Sequence, residues 1–214
     1  KTLLEANADV NDHGTSLDSP VIIAAKRSAS PKALCGLMPL LLDYGANPHV
    51  VDKTPERLSP LHYVAQGGNL PDVFALLEKR VNPHQKSILD GTTALDSAIT
   101  NYDDPVIVHT LLQACDKASC ARGLSCMEST LQSAIHTAVK SQRPRSLKTI
   151  LDFLAAGNLP RPQLDSDTLR GCSDDLQQII ADHDTVTDCL DKINSELVSE
   201  EIPVSYTHLT LPTI

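Results

Sequence analysis

The 214 residues carry 18 basic against 27 acidic side chains, a net charge of −9, which argues against the clustered Lys and Arg that nucleic acid or an anionic membrane surface demands. Aromatic residues are only 3%, too few to fill one large core in the usual way, whereas helical arrays built on Leu, Ala, Val and Ile need almost none. Six Cys without C-x-x-C spacing, and no apolar run of about 20 residues, fit reduced thiols in an intracellular protein (cytoplasm or nucleus) with no bilayer span and no signal peptide.

The first residues, Lys1-Thr2-Leu3-Leu4, read as helix already under way, without an initiating Met. A turn follows at Ala8-Asp9-Val10-Asn11. Ser19-Pro20-Val21-Ile22-Ile23-Ala24-Ala25 then starts a short helix: Ser supplies an N-cap acceptor, Pro is tolerated at the first helical position, and the small Ala pair lets a neighbour approach. The aliphatic pair Leu41-Leu42 closes a second helix, which Pro39 is expected to kink or delay, and Gly45-Ala46-Asn47-Pro48 turns the chain. The cycle recurs. Ser59-Pro60-Leu61-His62-Tyr63-Val64-Ala65 opens, Gly67-Gly68 stops, Leu76-Leu77 closes and Val81-Asn82-Pro83 turns. Thr93-Ala94-Leu95-Asp96-Ser97-Ala98-Ile99 leads to Leu111-Leu112, and Ser129-Thr130-Leu131-Gln132-Ser133-Ala134-Ile135 leads to Ile150-Leu151. The opening blocks lie 40, 34 and 36 residues apart. One such helix pair cannot bury its own apolar face, so neighbours must stack to make the core.

These blocks resemble the ankyrin repeat. The run from His62 through Ala65, Gly67 and Val73 to Leu76-Leu77 follows that family's frame, and Asp90-Gly91-Thr92-Thr93-Ala94-Leu95 is similar to its hairpin and first-helix start. The resemblance covers residues 1–157, about four repeats plus a partial first one. It implies an all-α, ankyrin-type solenoid of stacked helix-turn-helix repeats joined by short hairpin loops. It also implies that His62 hydrogen-bonds the repeat's own loop. The departures are instructive. The positions matching His62 hold Ile22, Asp96 and Gln132; extra residues sit at 15–18 and 56–58; and the stretch 115–127 is longer than a family hairpin and lacks its turn. Inserted loops and local fraying at the fourth repeat are expected.

Beyond residue 157 the pattern changes. Asn158-Leu159-Pro160-Arg161-Pro162 reads as a linker. Ser173-Asp174-Asp175 then looks like a helix start, with Leu176, Ile179 and Ile180 at helical spacing and a further stripe at Val186, Cys189, Leu190, Ile193 and Leu197. Residues 158–202 are thus expected to form a linker and C-terminal helices that cap the stack, with a degenerate fifth repeat or a partner helix as the alternatives. Residues 203–214 resemble a translated sequencing adapter, and with the missing Met this suggests a fragment of a longer gene product.

No catalytic, cofactor or metal site is expected. Cys115, Cys120 and Cys126 lie near His109 and His136 in sequence, but spacings of four and five intervening residues give no tight zinc knuckle. Asp182-His183-Asp184 reads as solvated helix-end chemistry, and no phosphate-loop, dinucleotide or nucleophile motif occurs.

The expected function is a non-catalytic protein–protein interaction module, scaffold or adaptor. The alternative is a regulatory or targeting segment of a larger enzyme or signalling NTPase, and a weaker third reading is scaffolding through self-association by the C-terminal helices. By the resemblance, the partner lies against hairpin tips and first helices. The candidates are Asp12, His13, Asp52, Lys53, Asp90 and Gly91, mostly polar and acidic, which favours a protein partner with a basic surface. Nucleic acid and membrane are not expected as partners. Deleting Pro203 onward should change stability by less than about 0.5 kcal/mol, the range for changes away from buried features; comparison of thermal unfolding of the full and shortened chains checks this.

Overall fold

The computed structural model describes residues 8–14, 18–28, 36–122, 124–156 and 173–184. The first Leu pair, Cys35, the linker at 158–162, the stripe at 186–197 and the tail at 203–214 lie outside the described residues. Residues 1–179 form one compact unit and residues 180–214 a second.

Among the described residues these helices follow one another in the first unit: α1 Pro20–Ser28, α2 Leu37–Asp43, α3 Pro60–Gly67, α4 Leu70–Glu78, α5 Ala94–Asn101, α6 Pro105–Arg122, α7 Leu124–Lys140 and α8 Pro144–Ala156. Residues 174–184 are also helical. Each odd-numbered helix packs on the even-numbered helix after it, and α1, α3, α5 and α7 stack in succession as one layer. In the second layer α2 packs on α4 and α6 on α8, whereas no comparable packing joins α4 to α6. No strand occurs among the described residues. The fold is the all-α repeat solenoid that the phased blocks anticipate.

The core explains the scarcity of rings. Its largest fully buried side chains are Leu, Ile and Met, among them Ile22, Met38, Leu61, Leu95, Ile99, Leu112, Leu131 and Ile135. Ala25, Ala65, Ala98 and Ala134 are buried between them, so first helices approach closely without aromatic filler. The closing pairs Leu41-Leu42, Leu111-Leu112 and Ile150-Leu151 are buried as their phase requires. Leu77 is only half-buried, although Leu76 beside it is covered, because α4 has no second-layer neighbour on that side.

Two local features differ from expectation. Pro39 does not kink α2: the helix begins at Leu37 after Gly36 in a left-handed conformation, so Pro39 falls in the first turn, where its missing N–H is not needed. The stretch 115–127 is no inserted loop. It extends α6 to Arg122 and starts α7 at Leu124. Ala114, Lys117 and Ala118 favour continued helix, so the extra residues lengthen two helices on either side of position 123. Thr130, expected to open a helix, lies inside α7 with its hydroxyl donating back to the Cys126 carbonyl at 2.9 Å. His84, from the preceding hairpin, holds this region with Nε2 2.9 Å from the Cys115 carbonyl and Nδ1 2.9 Å from Thr130 Oγ1.

Neighbouring repeats are sewn together by buried polar side chains at helix starts. The Asp96 carboxylate accepts from Thr93 N–H and Thr93 Oγ1 at 2.8 Å, capping its own helix α5. It then accepts from Ser133 Oγ at 3.0 Å and Thr137 Oγ1 at 3.1 Å on α7. Asp103, in the loop after α5, caps α8 by accepting from Ser146 N–H and Ser146 Oγ at 2.8 Å and from Arg145 N–H at 3.3 Å. Asp96→Ala leaves one amide and three hydroxyls without their acceptor. A loss of about 2–4 kcal/mol is expected, with about half that for Asp96→Asn, which keeps one carbonyl oxygen; the shift in urea unfolding midpoint measures both.

Candidate protein-interaction surface

Three loops carry the candidate residues, and each is shaped by short-range hydrogen bonds. In the first, Asp9 Oδ1 accepts from Asn11 N–H at 2.9 Å and Asp12 Oδ1 from Gly14 N–H at 2.8 Å, where Gly14 adopts a φ of 53°. Asp12 and His13 are exposed at this tip. Asn11 ties the loop to the next repeat, accepting from Asn47 N–H at 2.8 Å.

The second loop places Lys53 in solvent but buries Asp52, which is 1% exposed. The sequence reading of Asp52 as a partner-facing tip is therefore corrected. Its carboxylate accepts from Tyr63 Oη at 2.6 Å, Thr54 Oγ1 at 2.8 Å and Leu58 N–H at 2.9 Å, and Lys26 Nζ stands 3.7 Å away. Burial opposes ionisation of Asp52, but the bonds from Tyr63, Thr54 and Leu58 and the Lys26 charge outweigh it and hold its pKa below the ordinary value. Burial and the same Asp52 contact push the Tyr63 phenol up. The residues extra to the family pattern, 56–58, close a loop around this carboxylate.

The third loop, between α4 and α5, is fixed at both ends. Asp90 Oδ1 accepts from the Thr92 N–H at 3.2 Å and the Thr92 hydroxyl at 2.8 Å, and also from the Ser87 hydroxyl; the Ser87 contact leads in holding its pKa down. Gly91 takes a φ of 68°, the left-handed region that a side chain would strain. Ile88 N–H donates to the Glu56 carbonyl at 2.9 Å, joining this loop to the second. Asp90 is exposed and Gly91 half-buried. Beside them Ile88 and Leu89 stand 67% and 66% exposed. Sequence reasoning passed over this apolar pair, although its position in a loop, outside both helical stripes, was the available signal.

His62 sets the position of the third loop. Its Nε2 lies 3.2 Å from the Thr92 carbonyl, which can only accept, so Nε2 carries the proton. Nδ1 then accepts from Ser59 N–H at 3.2 Å and lies 2.8 Å from Ser59 Oγ. The imidazole thus caps its own helix and reaches into the loop of the following repeat, one repeat further than the family resemblance implied.

The sulfur and histidine positions do not assemble. Cys115 is buried, and burial pushes its thiol up to about 12. Cys126 is half-buried; His109 is exposed, meeting Phe153 edge-on at 6.2 Å between ring centroids; and the Cys120 side chain lies outside the described residues. Among the described residues no three His, Cys, Asp or Glu side chains converge as a metal site, and no helix is long and apolar enough to cross a membrane.

This is the architecture of a stacked helical-repeat array. Residues 21–121 match the family model for ankyrin repeats, three copies. Among solved structures it is similar to the human ASB11 ankyrin repeat domain, at 21% identity over 64% of this chain and 69% of that one, with a TM-score of 0.40. No curated protein matches the chain. Ankyrin repeats are generally protein–protein interaction modules, and the fold is typically non-catalytic.

Burial pushes the His62 pKa below its ordinary 6.5, against the raising pull of the Thr92 carbonyl and nearby acids. The unfolded chain therefore takes up this proton first. The stability His62 contributes is full above the unfolded value and is lost as pH falls below it. The gap in urea midpoint between the wild type and His62→Ala should be largest near about pH 8 and shrink toward about pH 5, as paired denaturation curves at each pH will report.

Proposed function

We propose that the chain is a non-catalytic adaptor whose hairpin side grips a protein partner through an apolar anchor surrounded by charge. Exposure of Ile88 and Leu89 on a tip braced by Asp90, Gly91 and the Glu56 carbonyl carries this reading. Two aliphatic side chains held in solvent by a pre-organised loop are suited to insertion in a partner's pocket, because little ordering entropy is lost on binding. Beside them Asp90 supplies negative charge, and Asp12, His13 and Lys53 are exposed on the other two loops. In a chain of net charge −9 this favours a partner presenting Lys or Arg around an apolar pocket. The compartment proposed is intracellular, consistent with the free thiols of Cys115 and Cys126.

The double substitution Ile88→Ser with Leu89→Ser tests the anchor. Both positions are exposed, so the unfolding midpoint should move by no more than about 0.5 kcal/mol. Quantitative mass spectrometry of proteins captured on the immobilised chain should then show partners depleted by about tenfold or more relative to the wild type. Unchanged capture by the double variant would refute the anchor.

A further inference from the structure

Sparse packing between α4 and α6 leaves a groove of about 620 Å³ on the second-helix side of the array. Elsewhere in that layer a neighbouring helix occupies the equivalent space, as α2 does against α4 and α8 against α6. One wall is Phe74 and Leu77 of α4, three residues apart on one helical face; Phe74 is 49% exposed. The other wall includes Ala114 and Ala118 of α6, four residues apart and small enough for a backbone to come close. Two ridges at helical spacing with a furrow between them are the surface into which a third helix packs. The volume falls within the range of about 300–1,000 Å³ typical of specific sites.

Charge narrows the occupant. Arg80 and Lys117 line the groove, both are exposed, and neither forms an ion pair among the described residues, while Glu78 is the one acidic lining residue. The groove is thus a locally basic site on an acidic chain. The overall charge of −9 disfavours a second copy, which would bring the same excess of acid. It also opposes any acidic partner at long range, but screening over about 8 Å at physiological salt leaves the local cations to decide the contact. We propose that the groove between α4 and α6 docks an amphipathic helix of a partner protein, with apolar side chains between Phe74 and Ala118 and acidic side chains toward Arg80 and Lys117. This surface is independent of the hairpin tips, and its partner has the opposite charge character.

A phage-displayed library of amphipathic helices, selected against the full chain, provides the test. Expected are binders rich in Asp and Glu beside an apolar stripe, weakened about tenfold or more by Phe74→Ala. Arg80→Glu with Lys117→Glu, at exposed positions where the fold is not at stake, should redirect selection toward basic helices. Recovery of no binders, binders without acidic enrichment, or binders indifferent to both variants would overturn the proposal. So would a photocrosslinking side chain in place of Gln113 that captures the chain's own residues 185–214, or a second copy, in the absence of peptide.

Discussion

A helix in a repeat array begins with backbone amides that have no partner in their own helix, and here the starts at Ser19, Ser59 and Thr93 are buried. The third residue of the first helix resolves that problem. His62 and Asp96 occupy the same position of successive repeats, have opposite chemistry, and each performs two tasks. Each accepts from the amide of its own N-cap residue and each completes its bonding on the following repeat, His62 at the Thr92 carbonyl and Asp96 at the Ser133 and Thr137 hydroxyls. A capped helix and a fixed neighbour are therefore one event. Loss of either side chain uncouples repeats as well as fraying a helix, which is how a nearest-neighbour array transmits a local defect.

The same economy shapes the loops. Asp103 caps a helix of the next repeat, and Asn11 accepts an amide from the next turn. Asp52 differs in serving its own loop, where Tyr63, Thr54 and Leu58 converge on one carboxylate. A buried carboxylate is tolerable only when its lone pairs are used, and here the surrounding donors do so. The rigid loops that result present Lys53, Asp90 and the Ile88-Leu89 pair in fixed places.

The repeat cycle was readable because it rests on periodicity: Leu pairs recur in phase and three of the four Ser/Thr blocks open a helix, at Ser19, Ser59 and Thr93. The stretch from 115 to 127 is not legible as helix from motifs, because it lacks the family's turn pattern, yet residues such as Ala114, Lys117 and Ala118 favour helix and carry α6 to Arg122. Asp52 was misplaced for a related reason. A polar residue between two helices looks solvent-facing until the donors that gather round it are known, and Tyr63 and Leu58 reach it only in three dimensions. The gap between α4 and α6 leaves no trace in sequence at all, since Leu76-Leu77 has the same pattern as the fully buried Leu111-Leu112.

That gap has a mechanical meaning. At every other step where both layers are defined, two rows of helices resist bending together, one in tension while the other is compressed. Between the second and third helix pairs only the α3–α5 row is continuous. Rotation about this row deforms less second-layer packing than at the other steps, which makes this the easiest place to bend. A ligand wedged between α4 and α6 would act as a strut, stiffening the joint and fixing the angle at which the hairpins on either side are presented.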